Sequence, residues 1–165
     1  MLTVIYGESL TRKIGFLTVI EQVKRSIEKV EQILSCPGIN EIEVYKEKLG
    51  DTLVYDQRKG ASLKEHLEKI KDNSPESAKI VLLSEETNDM GLKADFKIGI
   101  GNGKMEDEIN LLRAGAHTVM RARDNIMPPV WIILKDYLNN NPENIEKRRK
   151  YRLKMAELSL ESKWE

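Results

Sequence analysis

Three glycines within five residues, Gly99, Gly101 and Gly103, join an apolar run starting at Phe96 to a helix-period run that closes on Arg121 and Arg123. Such a cluster has two uses. Its backbone N–H groups can cradle a phosphate, or its positive-φ conformations can turn the chain. The dinucleotide fingerprint is excluded, because the position three beyond Gly103 is Glu106 rather than glycine. A second chemical candidate is Asp51 in the run "KLGDT", Lys48 to Thr52, whose ordinary role is that of a turn residue. His66 and His117 stand apart in the sequence, and neither suggests zinc. The run "EKRRKYRLK", Glu146 to Lys154, concentrates six basic residues in nine; it can meet an acidic partner or nucleic acid, or form a solvated helix face.

The elements that position these residues follow from composition and periodicity. A chain of 165 residues is expected to form one domain. Its 27 basic and 27 acidic residues cancel, so a nucleic-acid or anionic-membrane partner is not expected from bulk charge. One cysteine, Cys36, precludes an internal disulfide, and no run has the length of a membrane span, which together predict a cytoplasmic protein. Met1 to Tyr6 reads as a buried strand. Phe16, Ile20, Val23, Ile27, Val30 and Leu34 recur at helical steps and predict a helix ending near Cys36. "EIEVY" and "TLVYD" are β-type runs separated by six residues, too few for a crossover helix, and are expected to pair as an antiparallel hairpin turning near Gly50 and Asp51.

A helix follows from Ser62 to Lys71, with Leu63, Leu67 and Ile70 on its apolar side. Lys79 to Glu85 is compatible with strand or helix, and the Ser-Pro-Glu start ahead of it favours helix. "FKIGIGN" is a strand, and Met105 to Arg123 a helix burying Ile109, Leu112, Ala116 and Val119. "VWIIL", after Pro128 and Pro129, is expected to be a strand, and the tail from Pro142 a helix capped by Asn141. The resulting order is βαββαβ, an α+β, ferredoxin-like arrangement over residues 1–140 with a C-terminal helical extension at 141–165.

With "KLGDT" at the hairpin, "IGIGNG" on a later strand and "LLRAGAHTVMRARDN" at a helix close, the chain resembles the palm domains of nucleotidyl cyclases: GGDEF-type diguanylate cyclases, palm-type GTP cyclohydrolases and minimal CRISPR polymerases. That resemblance implies binding of a nucleoside triphosphate with Mg²⁺ or Mn²⁺ and formation of a cyclic nucleotide signal in antiviral defence or second-messenger signalling. It implies that Asp51 and Glu8 hold metal, that Gly50, Gly101, Asn102, Lys104 and Arg123 meet the nucleotide, and that two copies face one another as a homodimer. A palm that keeps the fold without catalysis, serving as a regulatory nucleotide-binding module, is one alternative. Another is a receiver-like phosphoacceptor domain using Asp56 at the end of "TLVYD", Ser84 after "IVLL" and a basic residue after "HTVM", with "AGAHTVM" similar to that family's "AGADDYL"; the expected lack of a helix between the second and third strands, and Ala122 where that family has lysine, argue against it. A haloacid-dehalogenase-type phosphatase lacks its Asp-x-Asp nucleophile motif.

Overall fold

The structure, a computed structural model, describes residues 2–6, 33–36, 39–56, 63–121 and 127–162. Six strands form one sheet: β1 (Leu2–Tyr6), β2 (Ile33–Cys36), β3 (Thr52–Asp56), β4 (Lys79–Ser84), β5 (Phe96–Gly101) and β6 (Thr118–Arg121). Their spatial order is β2-β1-β3-β4-β5-β6, and every neighbouring pair is parallel. Among the described residues five α-helices accompany them: α1 (Ile42–Tyr45), α2 (Leu63–Asn73), α3 (Met105–Ala114), α4 (Met127–Asn139) and α5 (Pro142–Ser162).

A parallel sheet has helices over both faces, so its strands are apolar on both sides. In β4, Ile80 to Ser84 are buried without a break, and β5 is buried apart from half-exposed Lys97. Leu53, Tyr55, Ile80 and Leu82 look toward Ile42 of α1 and Leu63, Leu67 and Ile70 of α2, forming one core layer. Leu111 of α3 packs on the same side, directly against Gly99. On the opposite face, Tyr137 of α4 stacks on Phe96 with ring centroids 4.4 Å apart. α5 lies against α3, burying Ile145 and Ala156.

This is an α/β architecture, and the expected ferredoxin-like palm is not formed. The predicted hairpin is the main error. Residues 41–45 are helical, flanked by 3-10 turns at Ile39–Glu41 and Lys46–Lys48, and they are themselves the crossover that the sequence seemed too short to hold. The alternation in "EIEVY" imitates a strand, yet Ile42 is buried and Val44 is 82% exposed, an arrangement set by the helical turn. The strand before it is β2, so Leu34 belongs to a strand rather than to the tail of a helix. The rest of that predicted helix, together with Ser62, lies outside the described residues.

Three further elements differ from expectation. Lys79 to Ser84 is a strand between β3 and β5, where a continuous apolar run outweighs the helix-start signal ahead of it. The helix from Met105 stops at Ala114: Gly115 adopts φ +128°, the N–H of Gly115 reaches the Leu112 carbonyl at 3.2 Å, and that of Ala116 reaches Leu111 at 3.0 Å, a Schellman closure. The chain then runs into β6, which carries Val119. "VWIIL" lies within α4, because Pro128 and Pro129 fall in the first helical turn, where no amide donor is needed.

Candidate functional site

In an open α/β sheet, ligands are met beyond the carboxyl ends of the strands, at the point where the strand order changes direction. Here the chain passes from β1 outward to β2, then returns to the far side of β1 as β3 and continues in one direction to β6. The change of direction therefore lies between β1 and β3. Register pairs Tyr6 with Asp56 there, at the carboxyl ends of both strands. Along the same edge Asp56 pairs with Leu83, which puts Ser84 one residue further on, and Gly101 pairs with Arg121.

Ser84 is fully buried, and its hydroxyl is committed on both sides. It donates to Asp89 Oδ2 at 2.5 Å and accepts the Glu86 N–H at 3.1 Å. The glycine cluster is a turn packed around side chains of the protein itself. Asp107, in the first turn of α3, reaches back with Oδ2 to the Asn102 N–H at 2.8 Å, and Asn102 Oδ1 accepts the Lys104 N–H at 2.9 Å. A Cβ on Gly101 would meet Asp107 Oδ2 at 3.1 Å, and one on Gly103, at φ +90°, would meet Arg121 Nε at 2.8 Å. Glu106, Asp107 and Glu108 bring negative charge to the start of α3, where a bound phosphate would otherwise find favourable helix dipole. The cleft beside them, about 200 Å³, is lined by Lys104 and Arg121 but also by Glu108.

The residues expected to share a nucleotide are separated. Gly50 is buried and Asp51 exposed at the amino-terminal start of β3, where the Asp51 carbonyl accepts the Lys79 N–H at 2.8 Å. Gly101, Asn102 and Lys104 follow the carboxyl end of β5. Parallel strands start at one edge and finish at the other, and the five residues of β3 alone span about 16 Å. Two cations on one phosphoryl group stand roughly 4 Å apart, so this arrangement cannot serve the expected chemistry. Glu8 and Arg123 lie outside the described residues. Among the described residues no group of three His, Cys, Asp or Glu side chains is placed to hold a metal ion. Without the hairpin that would carry its acid to the nucleotide, the nucleotidyl cyclase assignment fails.

The opposite, amino-terminal edge has an open cleft of about 730 Å³ reached by Lys71, Lys93, Asp95, Lys97 and His117. His117 Nδ1 accepts the Lys97 backbone N–H at 2.9 Å, which places the imidazole proton on Nε2. Its pKa is lowered, first by burial and then by the Lys97 ammonium. Burial, followed by the charge of Arg149, also lowers Lys97, whose Nζ donates to the Met90 carbonyl at 2.5 Å. Sequence reasoning treated His117 as a bystander; its place one residue into the turn after Gly115 is legible only once α3 is ended at that glycine. Of the basic run in α5, Arg149 points inward, donating to the carbonyls of Leu112 (2.7 Å) and Ala116 (3.0 Å) and to Glu146 (2.9 Å).

Fold and edge together define an α/β domain built on an open parallel sheet, with helices on both faces. No protein-family model and no curated protein matches the chain. Among solved structures it is similar to a CpaE2 pilus assembly protein from Sinorhizobium meliloti, at 13% identity over 82% of this chain and 98% of that one, with a TM-score of 0.45. It is also similar to the RcsB response regulator of Salmonella typhimurium, at 15% identity over 91% of this chain and 66% of that one, with a TM-score of 0.44. A third is the pilus assembly protein CpaE from Caulobacter crescentus, at 11% identity over 81% and 88%, with a TM-score of 0.40. These likenesses are too distant to assign a function. Among the described residues no helix is long and apolar enough to cross a membrane.

Proposed function

We propose that the chain is a receiver-like signalling domain with Asp56 as its phosphoacceptor. The observation that carries this reading is the parallel register that brings Asp56 to the carboxyl end of β3, at the crevice where the strand order reverses. Two supports join it. The first five strands follow the flavodoxin-like order 2-1-3-4-5, and a helix now stands between β2 and β3, which removes one of the two objections raised by the sequence; the other, Ala122 in place of lysine, lies outside the described residues. In the proposed step a carboxylate oxygen of Asp56 attacks the phosphorus of a small acyl phosphate. The new P–O bond forms as the bond to the acyl oxygen breaks, and the carboxylate of the donor departs.

A second reading, a docking domain that works without phosphorylation, is favoured by the Ser84 hydroxyl being tied to Asp89 rather than left to meet a phosphoryl group. Incubation with labelled acetyl phosphate in Mg²⁺ buffer separates the two. The phosphoacceptor reading expects stoichiometric label, released by hydroxylamine and absent from Asp56→Asn. No label, or label that survives that substitution, overturns it and leaves the docking domain.

A further inference from the structure

α5 is apolar on two sides. Ile145 and Ala156 are buried, with Arg149, Leu153 and Leu160 half-buried on the same stripe, and this side faces α3. A second stripe, Tyr151, Met155 and Leu158, recurs at i, i+4 and i+7 and so shares one side of the helix. It faces solvent: the three residues are 67%, 44% and 48% exposed. Large exposed apolar side chains scattered singly need no explanation, but a helical row of three does.

Two of the three, Tyr151 and Met155, border a concavity. Tyr151 and Met155 form one wall of a groove of about 710 Å³ whose other wall is Met105 and Glu108 of α3. Cations flank the row, with Arg148 and Arg152 on one side and Lys147 and Lys154 on the other. Arg148 is paired with Asp136 and Lys147 weakly with Glu143, whereas among the described residues Lys150, Arg152 and Lys154 have no ion-pair partner. This surface is basic at its rims and apolar along its middle.

We propose that the α3–α5 groove docks a helix of another protein, one with an apolar stripe flanked by aspartate or glutamate. Charge complementarity selects that occupant. The free cations call for acidic neighbours, and the apolar wall made by Tyr151, Met155 and Met105 offers seats to the apolar anchors of a helix laid in the groove. A second copy of this chain is disfavoured, because its own α5 would bring the same excess of positive charge. A lipid surface is disfavoured because the site is concave. The surface is separate from Asp56, so its test does not depend on the phosphoacceptor reading.

The test uses the full chain and a fluorescein-labelled peptide with leucines at i, i+4 and i+7 flanked by glutamates, alongside a scrambled version and a lysine-flanked version. Anisotropy should show saturable binding of the acidic peptide, at least about tenfold tighter than either control. Tyr151→Ser with Met155→Ser should weaken it about tenfold or more, as loss of central anchors does. Arg152→Glu should weaken it likewise and restore binding of the lysine-flanked peptide, an exchange that a folding defect cannot produce. All three positions are exposed, and unchanged melting confirms the variants as folded. The proposal is overturned if the acidic peptide does not bind, if the scrambled peptide binds equally, or if the substitutions have no effect. It is also overturned if the same substitutions instead abolish self-association in sedimentation or binding to phosphatidylserine vesicles.

Discussion

Replacing Arg149 with alanine should loosen the whole C-terminal helix. The side chain is 17% exposed, and its guanidinium bridges α5 to the end of α3 through the carbonyls of Leu112 and Ala116. The Leu112 carbonyl belongs to the negative end of the α3 dipole, which favours a cation there. A hydrogen bond from a charged donor contributes about 1.5–3 kcal/mol, and truncation also leaves part-buried acceptors unsatisfied, so two such bonds set the loss at about 2–4 kcal/mol once solvent takes up part of the demand. For a domain of this size that corresponds to a fall in Tm of roughly 5–15 °C. Arg149→Lys keeps the charge but loses the planar fork that reaches both carbonyls, and should fall between the two. The control is Arg113→Ala. Arg113 donates to Glu157 from Nε and Nη2, but its side chain is 60% exposed, and exposed pairs are worth about 0–1 kcal/mol. Urea unfolding of the three variants measures these differences directly. If Arg149→Ala costs no more than Arg113→Ala, the claim that α5 is stapled through the end of α3 is wrong.

Other outcomes follow from single contacts. Gly115→Ala places a Cβ 2.4 Å from the Met90 carbonyl oxygen at φ +128° and should cost about 2–4 kcal/mol, read as a lower urea midpoint at unchanged slope. Asn141→Ala removes the Oδ1 that accepts the Asn144 N–H at 2.9 Å and should cost about 1 kcal/mol, with faster amide exchange in the first turn of α5. His117 titrates below its ordinary 6.5 in the folded protein, so just under that pH the unfolded chain binds more protons and stability must fall as pH drops from 6.5 toward the lowered folded value. Unfolding free energies across that window should show the slope in the wild type and a shallower one in His117→Gln.

The strands that the sequence revealed are those whose neighbours make the same demand as their own composition. β1, β3 and β5 are short β-rich runs bounded by glycine or charge, and burial on both faces suits β5 and most of β3. α2 and α5 were legible because their apolar positions repeat at the helical period and because Asn141 caps in the expected way. What stayed hidden depends on partners far along the chain. Nothing in "KIVLLS" distinguishes a buried helix from a central strand; only its place between β3 and β5 does so. "EIEVY" alternates like a strand because a one-turn helix is too short to display a period. Gly115 held an overlooked local signal, since a glycine three residues before a β-branched run ends a helix more readily than it continues one. Asp51 and Asp56 bracket one strand, and which of them lies at the carboxyl edge of the sheet is decided by strand direction, which the sequence does not display.

The order of the strands also bears on synthesis. From β4 onward each strand joins the one translated just before it, so the sheet widens one strand at a time as the chain leaves the ribosome. Until β6 arrives, the growing border is β5, six residues of largely apolar backbone able to pair with any other chain. A product terminated before Thr118 would therefore emerge adhesive as well as incomplete, and quality-control proteases would meet it as aggregate rather than as a shortened monomer.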